Sequence, residues 1–287
     1  MMRPSLILCC ALLGLAPAAC GPGNSANPDP AVDGSDSKSV DLDHLTITVA
    51  GRAEVFPEAA RLLEARGQSV PTLDGVALTI EEPLRIGVND ADSIFGQGSI
   101  SAEGGFAVPD VPVRGINLSL AASLEHEGFV RSSTIVFDTV FTRTRPRTDI
   151  IEARAWALPN TFHDALTQAV GETWIRAHSE DRARTLRDAG FILGRVVDAS
   201  GAPVAGARVV LDRGDLANRI YYPAPDFQSS TQDATSSTGL FLYVHSGAAA
   251  ETFTLSIQGT RDYLPRHAGA TPGRALVLTL YPGSIAP

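Results

Sequence analysis

His163 and Asp164 are adjacent, and a carboxylate beside an imidazole is a common way to orient a general base. The surrounding residues argue for a plainer role. Phe162, Ala165, Leu166, Ala169 and Val170 recur at helical spacing, which places His163 and Asp164 at the surface beside an apolar stripe. His44, His126, His178, His245 and His267 are scattered without ligand spacing, so no metal and no cofactor is expected. Asn89-Asp90-Ala91-Asp92-Ser93 sets oxygen atoms at alternate positions but lacks the glycine and terminal glutamate of a calcium loop, and it reads as a polar turn. Gly96-Gln97-Gly98 is too short to cradle a phosphate and reads as a turn or bulge. No G-x-S-x-G, H-E-x-x-H, Walker loop or complete G-x-G-x-x-G occurs. A Ser–His–Asp set is assembled in space rather than in sequence, and no member of one stands out. The expectation is a protein that is not an enzyme.

The best candidate for ligand contact is Arg219-Ile220-Tyr221-Tyr222-Pro223-Ala224-Pro225-Asp226-Phe227. Aromatic rings on a loop bury large area at little side-chain entropy, so Arg219, Tyr221, Tyr222 and Phe227 are the contact candidates. The favoured reading is nonetheless the plainer one, in which Tyr222 and Phe227 cover an open sheet edge.

The elements that would hold such a loop are mostly strands. Of 287 residues, 44% are hydrophobic and 19% charged, which marks a globular chain, and 26 Gly with 19 Pro favour many turns and short strands. A net charge of −9, without any Lys/Arg run, argues against a nucleic-acid partner. Cys9, Cys10 and Cys20 are the only cysteines, so the remainder must be held by burial.

Met1-Met2-Arg3 followed by the apolar run Leu6–Ala16 reads as a secretory signal peptide over residues 1–19. Ala18-Ala19-Cys20-Gly21 resembles a bacterial lipobox, with Pro17 in place of the usual aliphatic residue. The resemblance implies diacylglycerol on Cys20, and Gly21 after the cysteine implies sorting to the outer membrane. Plain secretion, with Ala16-Pro17-Ala18 as the cleavage site, is the alternative. Residues 20–40 then form a lipidated cysteine and a polar tether with almost no apolar content.

From Phe191 onward the residues Gly194, Val196, Asp198, Gly201, Pro203, Val204, Gly206, Ala207, Val209 and Leu211, with Gly239 and Phe241 later, follow the order G-x-V-x-D-x-x-G-x-P-V-x-G-A-x-V-x-L, then G-x-F. This order resembles the carboxypeptidase regulatory-like, or transthyretin-like, domain. It departs at Leu240 and in the long insert from Asp212 to Ser237. The resemblance implies a seven- or eight-stranded sandwich without its own active site, in which the glycines and proline make turns. Upstream the order recurs more loosely: Leu45–Gly51 stands for the first strand, Val70–Ile80 parallels Ala202–Leu211, and Gly104-Gly105-Phe106 parallels Gly239-Leu240-Phe241. Pro57–Gly67 reads as a short inserted helix with Pro at its start and Gly after its end.

The expected fold is all-β with minor helix, two tandem transthyretin/Ig-like β-sandwiches joined by a helical connector. Residues 41–155 form the divergent sandwich with its short helical insert. Residues 156–190 form the connector, with helices over Pro159–Val170 and from about Glu180 to Ala189, and residues 191–287 form the second sandwich. The expected function is a membrane-tethered envelope lipoprotein acting as a binding or spacer module toward an envelope protein or glycan. The alternatives are an envelope enzyme or accessory acting on glycan or peptide, and a transport or secretion subunit that docks through the connector helix.

Overall fold

The structure is a computed structural model that describes residues 40–83 and 93–283. The signal peptide, Cys20, the tether up to residue 39 and Asn89–Asp92 lie outside the described residues. The first half runs β1 (Thr46–Val55), α1 (Pro57–Ala65), β2 (Ala77–Glu81), β3 (Ile94–Ser99), β4 (Gly105–Pro112), β5 (Ser119–Glu125), β6 (Phe129–Val130), β7 (Ser132–Asp138), α2 (Thr139–Thr142) and β8 (Ile150–Pro159). Then come α3 (Asn160–Val170), α4 (Glu172–His178) and α5 (Leu186–Ala189). The second half runs β9 (Phe191–Val196), β10 (Val209–Leu211), β11 (Ile220–Pro223), β12 (Ser230–Thr231), β13 (Leu240–Val244), β14 (Glu251–Ile257), β15 (Arg266–Ala270) and β16 (Ala275–Leu280).

The protein is all-β with minor helix, and its strands form two sandwiches of one design. In the first, β4-β1-β8 faces β3-β2-β5-β7 across a core that includes Val49, Leu78, Val108, Leu120 and Ala155. In the second, β13-β9-β16 faces β10-β14-β15 across Ile192, Phe241, Phe253, Leu255 and Leu278. The likeness extends to single hydrogen bonds. Gly75 N donates to Ile100 O and Gly206 N to Thr235 O, both at 2.8 Å; Ala53 N donates to Gly104 O and Val196 N to Gly239 O, again both at 2.8 Å. Gly75 (φ +72°) and Gly206 (φ +77°) occupy the left-handed region that a side chain resists. Gly51 opposes Phe106 as Gly194 opposes Phe241, and a Cβ on Gly194 would lie 2.0 Å from the Phe241 ring. That glycine therefore makes room for the aromatic across the strand pair.

The sandwiches are fused. β16 pairs in parallel with β7 through Ala275–Ser132, Leu276–Ser133 and Val277–Thr134, which makes one nine-stranded sheet, β12-β11-β13-β9-β16-β7-β5-β2-β3. Buried ion pairs cross the same junction: Glu81 with Arg274, Asp138 with Arg266 at 2.7 Å, and Glu58 with Arg195. Each carboxylate comes from the first half and each guanidinium from the second.

The helices cover the outer face of β13-β9-β16. Phe162, Ala165, Leu166 and Val170 of α3 pack with Phe191, Leu193, Leu240 and Leu242. Strands β9 and β13 are thus apolar on both faces and read as continuous runs rather than alternations. α1 starts on Pro57 and ends before Gly67 as the sequence requires. Three expectations are corrected. The helix placed from about Glu180 to Ala189 is instead α4 and the short α5, with Thr185 accepting the Asp188 N–H at the start of α5. Gly96-Gln97-Gly98 lies in strand β3 rather than in a turn, directly after the register shift at Phe95 that fits the expected bulge, and glycine is needed there because a Cβ on Gly96 would lie 2.6 Å from Val108. The insert from Asp212 to Ser237 contains β11 and β12, the edge of the long sheet.

Candidate functional site

A groove of about 400 Å³ opens where the two sandwiches meet, between α1 and the turns around residues 225–227 and 237–238. Leu62, Ala65, Pro225 and Phe227 form its apolar walls, Ser237 and Thr238 contribute hydroxyls, and Arg61 and Asp226 stand at the rim. Below it runs a column of rings. Phe56 packs edge-on to Trp156 at 5.8 Å and stacks on Phe162 at 5.9 Å, and Phe162 meets Phe227 edge-on at 5.2 Å. Edge-on and offset contacts are favoured geometries and hold the floor in one arrangement.

Glu58, only 2% exposed, forms the polar part of the floor. One carboxylate oxygen accepts from Arg61 and the other from Arg195 of β9, whose guanidinium also lies 4.8 Å over the Phe56 ring. Burial pushes the Arg195 guanidinium below its ordinary pKa. Each oxygen of Glu58 is thus engaged by a guanidinium, one from α1 and one from β9.

Of the contact candidates, Tyr221, Tyr222 and Phe227 are 4%, 2% and 5% exposed. The structure gives them the covering role. The Tyr222 hydroxyl accepts from the Val209 N–H at 2.8 Å and fills the space against β10. Tyr221 meets the His178 Nε2 at 2.7 Å, and burial pushes its hydroxyl up to about 12. Phe227 alone of the three lines the groove; it has φ +58°, its N–H donates to the Ala224 carbonyl at 3.0 Å, and its ring meets Phe162. Arg219 pairs with Glu251 at 3.0 Å. Cys20 lies outside the described residues.

His163 is buried, at 3% exposure, rather than at the surface. Its Nε2 accepts the Arg187 N–H at 3.0 Å beneath α5, while Asp164 reaches its Nδ1 from the exposed side at 2.9 Å. Burial is the main reason its pKa is lowered. The pair braces the connector helices. A second polar network, Tyr243 and Arg219 on Glu251 beside His245, is likewise closed on itself: Tyr243 donates to Glu251 at 2.6 Å, and the His245 ring nitrogens meet the Ala189 and Ala249 carbonyls at 2.9 Å. Among the described residues no group of three or more His, Cys, Asp or Glu could hold a metal ion, and no helix is long and apolar enough to cross a membrane.

The sequence reading missed Glu58 and Arg195. A trace of the second was present, because Arg195 is the one charge in the apolar run Phe191–Val197, and a charge in a buried strand needs a partner.

No family model matches the chain, and no curated protein matches it. Solved structures similar to it include a streptococcal ancillary pilin, at 9% identity over 83% of this chain and 69% of that one, with a TM-score of 0.21. The shaft pilin SpaA from Lactobacillus rhamnosus GG is similar at 11% identity over 85% and 100% of the two chains, with a TM-score of 0.22. The Bacillus anthracis TIE protein is similar at 8% identity over 83% and 34%, with a TM-score of 0.23. At TM-scores this low the architecture rests on the strands and cores of this chain alone.

Proposed function

We propose that this protein is a non-catalytic envelope module, anchored through a lipid on Cys20 at the outer membrane, whose fused sandwiches present the groove beside α1 to an envelope protein or glycan. The second sandwich is read as a carboxypeptidase regulatory-like domain and the first as its divergent copy. The observation that carries the reading is the groove itself. Its walls come from different sandwiches, and the Glu58–Arg195 pair and the ring column beneath it fix their spacing. Preorganised walls lower the ordering cost of binding. The burial of the α3 stripe speaks against docking through the connector helix.

The test is retention of full-length Cys20→Ser protein on solubilised envelopes, before and after protease treatment. Retention that survives proteolysis points to a glycan or lipid ligand, and retention lost with it points to a protein. Ser237→Trp, at an exposed groove position, is expected to lower retention at least about tenfold with an unchanged thermal midpoint; retention equal to the parent would overturn the groove. In cells, Cys20→Ser is expected to leave the membrane fraction, and a variant that stays there would refute the anchor.

A further inference from the structure

Strand β8 is ten residues long, but beyond β1 it has a neighbouring strand for only a fraction of that length. The backbone groups of its odd-numbered residues face β1: a Cβ on Gly51 would meet the Ala153 carbonyl, and the Ala157 carbonyl accepts the Phe56 N–H at 3.0 Å. Those of its even-numbered residues therefore face the other way. There Leu158 pairs with Val130 of β6, and the N–H and carbonyl of Trp156 meet the hydroxyls of Thr134 and Ser132, both at 2.9 Å. After Val130 the chain leaves this row to become β7 in the long sheet, so no described strand pairs with β8 at Glu152 and Arg154. The space beside them is an open cavity of about 270 Å³, lined on the side of the long sheet by Thr134, Val136, Val277 and Thr279. Two side chains mark the same gap. Ile151 is 71% exposed, the highest value among the large apolar residues described. Of the charges around the cavity, Asp138 pairs with Arg266 at 2.7 Å and Arg154 with Glu54 at 3.4 Å, which leaves the Glu152 carboxylate outside any ion pair among the described residues.

We propose that this gap receives an extended peptide segment of a partner protein, which adds to β8 as a strand in line with β6 and carries a lysine or arginine opposite Glu152. An open row of N–H and C=O groups is matched by another extended backbone, whereas a helix has already bonded its own groups internally. The valine and threonine side chains beneath the gap are short and leave room for alternate side chains of such a strand. The added strand also covers Ile151 through a cross-strand contact. The site shares no lining residue with the groove beside α1, so the two readings stand or fall separately.

The experiment begins with amide hydrogen exchange of full-length Cys20→Ser protein. The amides of Glu152 and Arg154 should exchange at least about a hundredfold faster than those of Ala153 and Ala155, which face β1. Fluorescence polarisation then reads an array of labelled peptides in which valine alternates with lysine, serine or glutamate. The lysine peptides are expected to bind and to slow exchange at Glu152 and Arg154. Methylation of their alternate backbone nitrogens should weaken binding at least about tenfold, since each hydrogen bond lost is worth about fivefold. Arg154→Pro removes an edge N–H without touching the β1 ladder and should weaken binding about fivefold; should it fail to fold, the methylated peptides carry the same test. Glu152→Lys should move the preference from lysine to glutamate peptides, and Ser237→Trp, in the other groove, should leave binding unchanged. Protected amides at Glu152 and Arg154 in the free protein, an array without a binding member, equal binding of the methylated peptides, or loss of binding in Ser237→Trp would overturn the proposal. A dimer dissolved by Arg154→Pro would also overturn it, by putting a second copy of the chain at this edge.

Discussion

Arg274→Leu should unsettle the junction more than any substitution in the groove. The guanidinium pairs with Glu81, whose side chain is completely buried, and it also donates to Ser133 at 3.1 Å. Burial draws the Arg274 pKa down while the neighbouring carboxylate pushes it back up, so the charge is held by that pairing. Removing one member of a buried pair costs ~3–5 kcal/mol, because the other is left as an unmatched charge. Here Ser123 and Ser133 still donate to Glu81, which puts the expected loss near the lower end, about 3 kcal/mol. In a domain of this size each kcal/mol moves the midpoint by roughly 2–4 °C, so the thermal midpoint should fall by about 6–12 °C. The comparison is Glu81→Leu with Arg274→Leu together, where no buried charge remains. That double variant should lie within about 1 kcal/mol of the wild type. Urea unfolding of the four proteins completes the cycle. A coupling below about 1 kcal/mol, or a single variant as stable as the wild type, would refute the view that this pair seals the sandwiches together.

Gly206→Ala and Gly75→Ala should each cost about 1–2 kcal/mol, since both hold left-handed backbone with nothing within 4 Å of the added Cβ. Gly194→Ala should cost more than either, because its Cβ would enter the Phe241 ring; equal thermal midpoints for all three would contradict the repeat geometry. His163 and His178 both have pKa values lowered chiefly by burial, so their contribution to stability is present above the ordinary histidine value of about 6.5 and is lost as pH falls through the folded values. Stability should therefore decline from pH 6.5 toward 5, and His163→Gln should flatten that decline; an unchanged slope in urea unfolding would remove the assignment.

The turns were the most legible part of the sequence. Gly75, Gly104, Gly201, Gly206 and Gly239 all adopt the positive φ that made them glycine, and through them the duplicated order could be read before any contact was known. Strands that carry breakers were hidden. β3 contains Gly96 and Gly98, chosen for closeness to Val108, and β11 ends in Pro223, which is tolerated because it pairs only with the short β12. The aromatic insert illustrates the limit of composition. Tyr221, Tyr222 and Phe227 have the chemistry of a contact surface, but burial decides whether a ring binds a ligand or fills a core, and burial depends on which strands meet. For the same reason Glu58 looked like an ordinary first-turn acid of α1, because its partner Arg195 is 137 residues away.

The fusion of the two sandwiches is not a pattern that repeats along the chain. Through the shared registers, Thr134 of β7 corresponds to Arg266 of β15, since Ala122 and Leu255 occupy matching places opposite them. In the first sandwich this edge accepts β16. In the second, the residue corresponding to Ser133 is Pro265, which has no N–H to offer. The neighbouring Tyr263 bridges to Pro282, and Gly283 N donates to Asp262 O at 2.8 Å. Arg266 turns inward to bond Asp138 and the Thr279 carbonyl. The edge that joins the halves once is thus closed at its second occurrence by a proline, a return of the chain and a buried arginine. Such devices keep a strand edge from recruiting another chain. They fit the proposed role, in which the groove is presented by a finished pair of sandwiches rather than by one unit of a growing sheet.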